Sequence, residues 1–77
     1  MSDAVDLLQQ LGFGEYEAKA YIALLQQSPL NGYELAKASC IPRANIYGVL
    51  QRLEERHAVS RIEADGNLRY APVPPAR

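Results

Sequence analysis

The run Ser39-Cys40-Ile41-Pro42-Arg43 constrains this chain more than any other. Directly behind it an apolar period resumes at Ile46, Val49, Leu50 and Leu53, the spacing of one helix face. A proline in a helix interior costs about 3 kcal/mol. At the first helical position it is favoured, because its missing N–H would have been unpaired there anyway. Pro42 therefore reads as the start of a helix over 42–56. Ser39, Cys40 and Ile41 are then all that joins this helix to the preceding one, a connection short enough to set two helices at a steep angle.

The preceding helix announces itself by its cap. Asn31 can accept from the backbone N–H of Glu34 while Glu34 reaches back, and Leu30 and Leu35 occupy the positions of a hydrophobic staple. The predicted helix, 32–38, is so short that only packing can stabilise it. Upstream, 15–27 reads as a helix with Glu15 and Glu17 in its first turn, Ala18, Tyr21, Ile22 and Leu25 as its apolar stripe and Ser28-Pro29 as its stop. A leading helix over 3–11 groups Val5 and Leu8, with Leu7 and Leu11 beside them, on a face that serves its own domain or a second subunit, and it ends at Gly12. Downstream, Val59 to Glu63 reads as a half-buried strand with Val59 and Ile62 as its apolar residues, Asp65-Gly66 is a hairpin turn, and Leu68-Arg69-Tyr70 alternates apolar and polar. The hairpin is expected over 59–71. The proline-rich 72–77 cannot continue a ladder and reads as a tail or linker.

A chain of 77 residues supports one compact domain with little room for a deep enclosed active site. Nothing in it resembles a glycine-rich phosphate loop, a nucleophile with a histidine, or a carboxylate pair in apolar surroundings, so an enzyme is not expected. One cysteine and one histidine make no structural zinc site, and no cofactor is expected. The longest apolar run, Ala20 to Leu25, is far short of the roughly 20 residues a membrane span needs. No signal segment opens the chain, so a cytoplasmic location is expected.

Net charge is −1, but the charges are divided. Residues 1–42 carry Lys19 and Lys37 against Asp3, Asp6, Glu15, Glu17 and Glu34, a net acidic part. Residues 43–77 carry Arg43, Arg52, Arg56, Arg61, Arg69 and Arg77 against Glu54, Glu55, Glu63 and Asp65, a net basic part whose cations are all arginine.

The order of helices, tight turn, longer helix and hairpin is that of a winged helix-turn-helix: an α+β fold, mostly α, with three to four helices and a C-terminal two-stranded β-hairpin wing. On the helix after Pro42, the side opposite the apolar stripe is centred on Ala44, Gly48 and Gln51, with Asn45 and Arg52 on one flank and Arg43 and Tyr47 on the other. Arg43, Asn45 and Gln51 are residue types that make bidentate contacts to base edges. Ala44 and Gly48 are small enough for a close backbone approach, although Gly48 has the other explanation of letting a second helix cross. Tyr33 and Tyr47 can pack their rings and still offer hydroxyls to phosphate. Asn67 and Arg69, at or just after the hairpin turn, are the wing's candidates for the backbone or minor groove. Arg56 and Arg61 are expected outside this footprint, Cys40 is expected to be a small apolar residue, and His57 is expected to end the helix.

The runs LGFGEYEAKAYIALL, NGYELAKAS, IPRANIYGVLQRLEE and RYAPVPP together resemble the N-terminal winged-helix domain of the TrmB family of transcriptional regulators. That resemblance implies a DNA-binding domain of a homodimeric regulator. It places Arg43, Asn45, Tyr47, Gln51 and Arg52 on a recognition helix and Arg69 on the wing. A sugar effector enters only through a further domain beyond this chain. Gly14 stands where the family commonly has a serine cap, and Cys40 and His57 stand where it commonly has glycines, so each should either carry modest backbone strain or alter the local turn. Gly48 and Asn45 replace longer polar residues. The expected partner is duplex DNA with a palindromic operator; a winged helix used for protein contact is the alternative that the weak net charge permits.

Overall fold

The computed structural model describes residues 3–73. Four helices precede one hairpin: α1 (Asp3–Gln10), α2 (Glu15–Gln26), α3 (Gly32–Ser39), α4 (Arg43–Glu55), β1 (Val59–Ala64) and β2 (Asn67–Pro72). The arrangement is the winged helix-turn-helix.

Three of the helices stop by one device. After α1, Gly12 donates its N–H to the Gln9 carbonyl and Phe13 to that of Leu8; after α3, Cys40 donates to Lys37 and Ile41 to Ala36; after α4, His57 donates to Glu54 and Ala58 to Leu53. This is the Schellman pattern, in which the first residue past the cap turns left-handed and the next drops an apolar side chain back toward the helix. Ile41 and Ala58 are buried accordingly. The left-handed residues are Gly12 at φ +100°, Cys40 at +59° and His57 at +61°. Glycine adopts that region freely, but Cys40 and His57 do so against a Cβ clash of about 1–2 kcal/mol. Cys40 is exposed, contrary to the expectation of a packed apolar residue. The turn demands its backbone, not its side chain.

The helix starts are more varied. Asn31 Oδ1 accepts the Glu34 N–H at 2.7 Å and Glu34 Oε1 accepts the Asn31 N–H at 3.0 Å, the reciprocal cap the sequence implied. At α2, Gly14 has no side chain to offer, and Glu17 Oε1 accepts the Gly14 N–H at 3.3 Å. Pro42 lies one position outside α4 rather than at its first residue. Its φ of −57° suits a helix, but its ψ of 139° is extended, which carries the chain out of the α3 turn, and its carbonyl accepts the Asn45 N–H at 2.9 Å.

The core joins Ala20, Ala23 and Leu24 of α2, Leu35 and Ala36 of α3, Ile46, Val49, Leu50 and Leu53 of α4, and Ile41, Ala58, Val59 and Tyr70 around them. The α4 stripe is the one its periodicity implied. The α2 stripe is so only at Ala18, which is buried: Leu25 is 59% exposed, Tyr21 and Ile22 are half-buried, and Ala20, Ala23, Leu24 and Glu17 are buried in their place. α2 packs against α1, α3, α4 and β2, so it is surrounded, and its alanines let those neighbours approach. Leu7 and Leu11 of the leading segment are exposed, Leu11 by 71%.

β1 and β2 pair antiparallel from Val59↔Pro72 to Ala64↔Asn67. Asp65 and Gly66 both have positive φ, +55° and +75°, as a two-residue type I′ turn requires. Leu30 adds a bridge on the far side of β2: its N–H donates to the Tyr70 carbonyl at 3.1 Å and its carbonyl accepts the Tyr70 N–H at 2.7 Å. The linker before α3 is thereby tied to the wing. The ladder also runs further than expected. Pro72 closes it opposite Val59, a strand end where a missing N–H costs little, and Val73 still donates to the Ala58 carbonyl at 2.8 Å. The remainder of the expected tail, 74–77, lies outside the described residues. Among the described residues no helix is long and apolar enough to cross a membrane.

Candidate nucleic-acid interface

α4 buries Ile46, Val49, Leu50 and Leu53, so its register leaves Arg43, Ala44, Asn45, Gly48, Gln51 and Glu55 exposed. Gly48 needs no close neighbour: a Cβ there would meet nothing within 4 Å but Arg52 Nη1 of its own helix, at 3.8 Å. The alternative that Gly48 lets another helix cross is therefore set aside. The close approach occurs at Gly32 instead. A Cβ on Gly32 would lie 2.5 Å from Tyr47 Oη and 2.6 Å from its ring, so the Tyr47 ring of α4 lies across the first residue of α3 while remaining 59% exposed.

Beside it, Tyr33 is 48% exposed and carries two cations. The Arg43 guanidinium lies 4.8 Å from its ring centroid and Lys37 Nζ lies 5.5 Å from it, both within cation–π range. Lys37 was not singled out from the sequence. Its position four residues after Tyr33, on the same helix face, was the available signal.

The other cations are occupied. Glu17, only 8% exposed, receives Arg52 Nε on Oε2 and Arg56 Nη1 on Oε1, both at 2.9 Å. Burial alone would push the Glu17 carboxyl up. The Gly14 N–H and the two guanidiniums outweigh it and hold the group below its ordinary value of 4.5. Arg52 thus turns toward α2. Arg56 also donates to the Gly12 carbonyl at 3.1 Å and lies over the Phe13 ring, tying the loop after α1 to α4. Arg61 Nε sits 2.9 Å from Glu54 Oε2, a charge contact without a directed hydrogen bond. Arg69 Nη1 donates to Glu34 Oε1 at 3.2 Å, the same oxygen that caps α3. Arg69 is therefore held against α3 from the middle of the wing, opposite Ile62. Asn67, exposed and paired with Ala64, is the candidate at the hairpin tip.

Lys19 pairs with Glu15 at 3.2 Å. Of the eight lysines and arginines, Arg77 lies outside the described residues. Among the rest, Lys37 and Arg43 alone have no carboxylate within ion-pair distance, and both sit on Tyr33. No group of three or more potential metal ligands occurs among the described residues.

The model of a family described as sugar-specific transcriptional regulator TrmB matches residues 8–76. The chain is 52% identical over 71 residues to the uncharacterised protein YrhO of Bacillus subtilis, covering 91% of this chain and 25% of that protein. To the sugar-sensing transcriptional regulator TrmBL1 of Pyrococcus furiosus it is 38% identical over 68 residues, 88% of this chain and 20% of that one. A solved structure of TrmBL2, an archaeal chromatin protein with a novel mode of DNA binding, superposes with a TM-score of 0.85 at 36% identity, over 95% of this chain and 28% of that one. The chain thus spans about a quarter or less of the length of YrhO and TrmBL1. A family match across nearly the whole sequence, with relatives well above the identity at which folds diverge, leaves one conclusion: the chain belongs to the TrmB family of transcriptional regulators.

Proposed function

We propose that this chain is the duplex-DNA-binding domain of a cytoplasmic transcriptional regulator. α4 enters the major groove and the wing lies along the backbone or minor groove. Asn45 and Gln51 offer the amide donors and acceptors that read base edges, and Ala44 and Gly48 let the α4 backbone come close to them. Arg43, Tyr33 and Tyr47 border this face on the α3 side, and Asn67 marks the wing tip. Arg52 and Arg69 contribute chiefly through the elements they hold in place. The observation that carries the reading is the pairing pattern: the cations free of carboxylates, Lys37 and Arg43, stand beside the open face of α4. A homodimer would present two such helices to half-sites about 34–36 Å apart, hence to a palindromic operator. A sugar effector belongs to this reading only with a further domain.

The net charge of −1 and the internal neutralisation of Arg52, Arg56, Arg61 and Arg69 favour a second reading, a winged helix that contacts protein. A salt titration separates the two. Binding to a short duplex pool, measured by fluorescence anisotropy, should weaken linearly in log–log form as salt rises from about 50 to 200 mM, because each neutralised phosphate releases counterions. Absence of duplex binding at low salt, in the chain and in a covalently linked dimer alike, would leave the protein-contact reading standing.

A further inference from the structure

Within the DNA-binding reading, on which this inference rests, we infer that Tyr33, Lys37 and Arg43 form one phosphate-binding station, in which the Tyr33 ring holds both cations for the backbone of a single strand. Arg43 then belongs to the backbone contacts, and base reading falls to Asn45 and Gln51.

The first ground is why Lys37 is free at all. Glu34 and Lys37 are three residues apart on α3 and would ordinarily pair across the helix surface. Glu34 is occupied twice over, by the Asn31 N–H at 3.0 Å and by Arg69 Nη1 at 3.2 Å. The cap and the wing together withdraw the one carboxylate that stands within a helical turn of Lys37. Lys37 turns to the Tyr33 ring instead.

The second ground is the position of Arg43. As the first residue of α4, it could extend along the groove face, yet its guanidinium lies 4.8 Å from the Tyr33 centroid, back toward α3. A guanidinium lying over a ring keeps its N–H edge available, and that edge matches the oxygens of a phosphate. With each cation within 5.5 Å of one centroid, two like charges are gathered near one exposed ring, an arrangement that an anion relieves. No base edge is required for any of these terms, so the station should act on every sequence alike.

The test uses a random-sequence duplex and the slope of log affinity against log salt. Lys37→Gln and Arg43→Gln should each lower the magnitude of that slope by about 0.9, the contribution of one phosphate, and weaken binding to random sequence severalfold at low salt. Tyr33→Ala should lose affinity severalfold with its slope nearly intact, because both charges remain but are no longer held. Lys19→Gln, which breaks a pair elsewhere, should leave the slope unchanged. The inference is overturned if Arg43→Gln binds random-sequence duplex as the parent does, or if Tyr33→Ala behaves as the parent. A parent chain with no salt-dependent duplex binding would instead bring down the DNA reading itself. Because all three side chains are exposed, circular dichroism of each variant should match the parent, and lost binding with matching spectra is a local effect.

Discussion

Replacing Glu17 by glutamine tests what holds α4 in place. Glu17 sits on α2 with 8% exposure and gathers Arg52 and Arg56 of the α4 side at 2.9 Å each. A hydrogen bond to a charged group contributes about 1.5–3 kcal/mol when desolvated, but exposed ion pairs contribute only about 0.2–1 kcal/mol. The carboxylate is buried while the guanidiniums are partly solvated, with 55% and 35% of their side chains exposed. The two limits therefore combine to a loss of about 1–2 kcal/mol for Glu17→Gln at neutral pH. In a domain of this size that lowers the melting temperature by roughly 5–15 °C. The pH dependence sharpens the test. Burial acts to raise the carboxyl, but the Gly14 N–H, Arg52 and Arg56 lower it below 4.5 in the folded state. A depressed acid stabilises the fold above its unfolded value and loses that contribution as pH falls through its folded value. Urea unfolding at a series of pH values should thus show parent and Glu17→Gln well separated at neutral pH and converging as pH drops below 4.5. A separation that stays constant across that range, or a glutamine variant more stable than the parent, would mean that burial outweighs the arginines and that the sign of the argument is wrong.

The left-handed residues behind α3 and α4 give the reverse effect. Cys40→Gly and His57→Gly should each stabilise by about 0.5–1 kcal/mol, the relief of Cβ strain less the extra unfolded-state freedom of glycine. Their effects should add in urea unfolding, and a loss in either variant would show that the side chain matters more than the turn. Gly32→Ala should push the Tyr47 ring aside, since a new Cβ would stand 2.5 Å from its hydroxyl. Because that ring is exposed and free to swing, the stability cost should stay near 1 kcal/mol, the low end for overpacking. The Tyr47 ring resonances should shift in NMR spectra, and unchanged shifts would refute the contact.

The parts of the fold legible in the sequence were those set by local chemistry. The Asn31–Glu34 cap, the Asp65-Gly66 turn and the α4 stripe each depend on residues a few positions apart, and each stands as the spacing implied. The misplaced parts depended on distant neighbours. Leu25 belongs to a plausible stripe, but α2 is packed by four elements and buries its alanines instead. Pro42 and Pro72 each fall one position from the boundary the spacing implies; a proline's φ suits either side of an element boundary, and at Pro42 its own extended ψ places it outside α4. For the candidate site the same division holds. Helical periodicity was enough to find the exposed face of α4, whereas the partners of Arg52 and Arg69 lie thirty-five residues away in the chain, beyond any local pattern.

Those long-range pairs also explain how a chain of net charge −1 can present a surface for an anionic partner. Formal charge counts Arg52, Arg56, Arg61 and Arg69 as basic, but each is spent against Glu17, Glu54 or Glu34. The pairs hold α2 to α4, α4 to β1, and the wing to α3, so the arginines build the frame while Lys37 and Arg43 face outward from it. The two phosphate contacts inferred for Lys37 and Arg43 would correspond to a salt slope of about −1.8, a weak grip for one domain. Two chains held together would double the slope. The second contact would then become intramolecular, with an effective concentration of about millimolar for a short connection. A surface with few free cations would therefore gain most from the proposed pairing of two chains on a palindromic site, so the charge pattern favours the dimer reading over a lone domain.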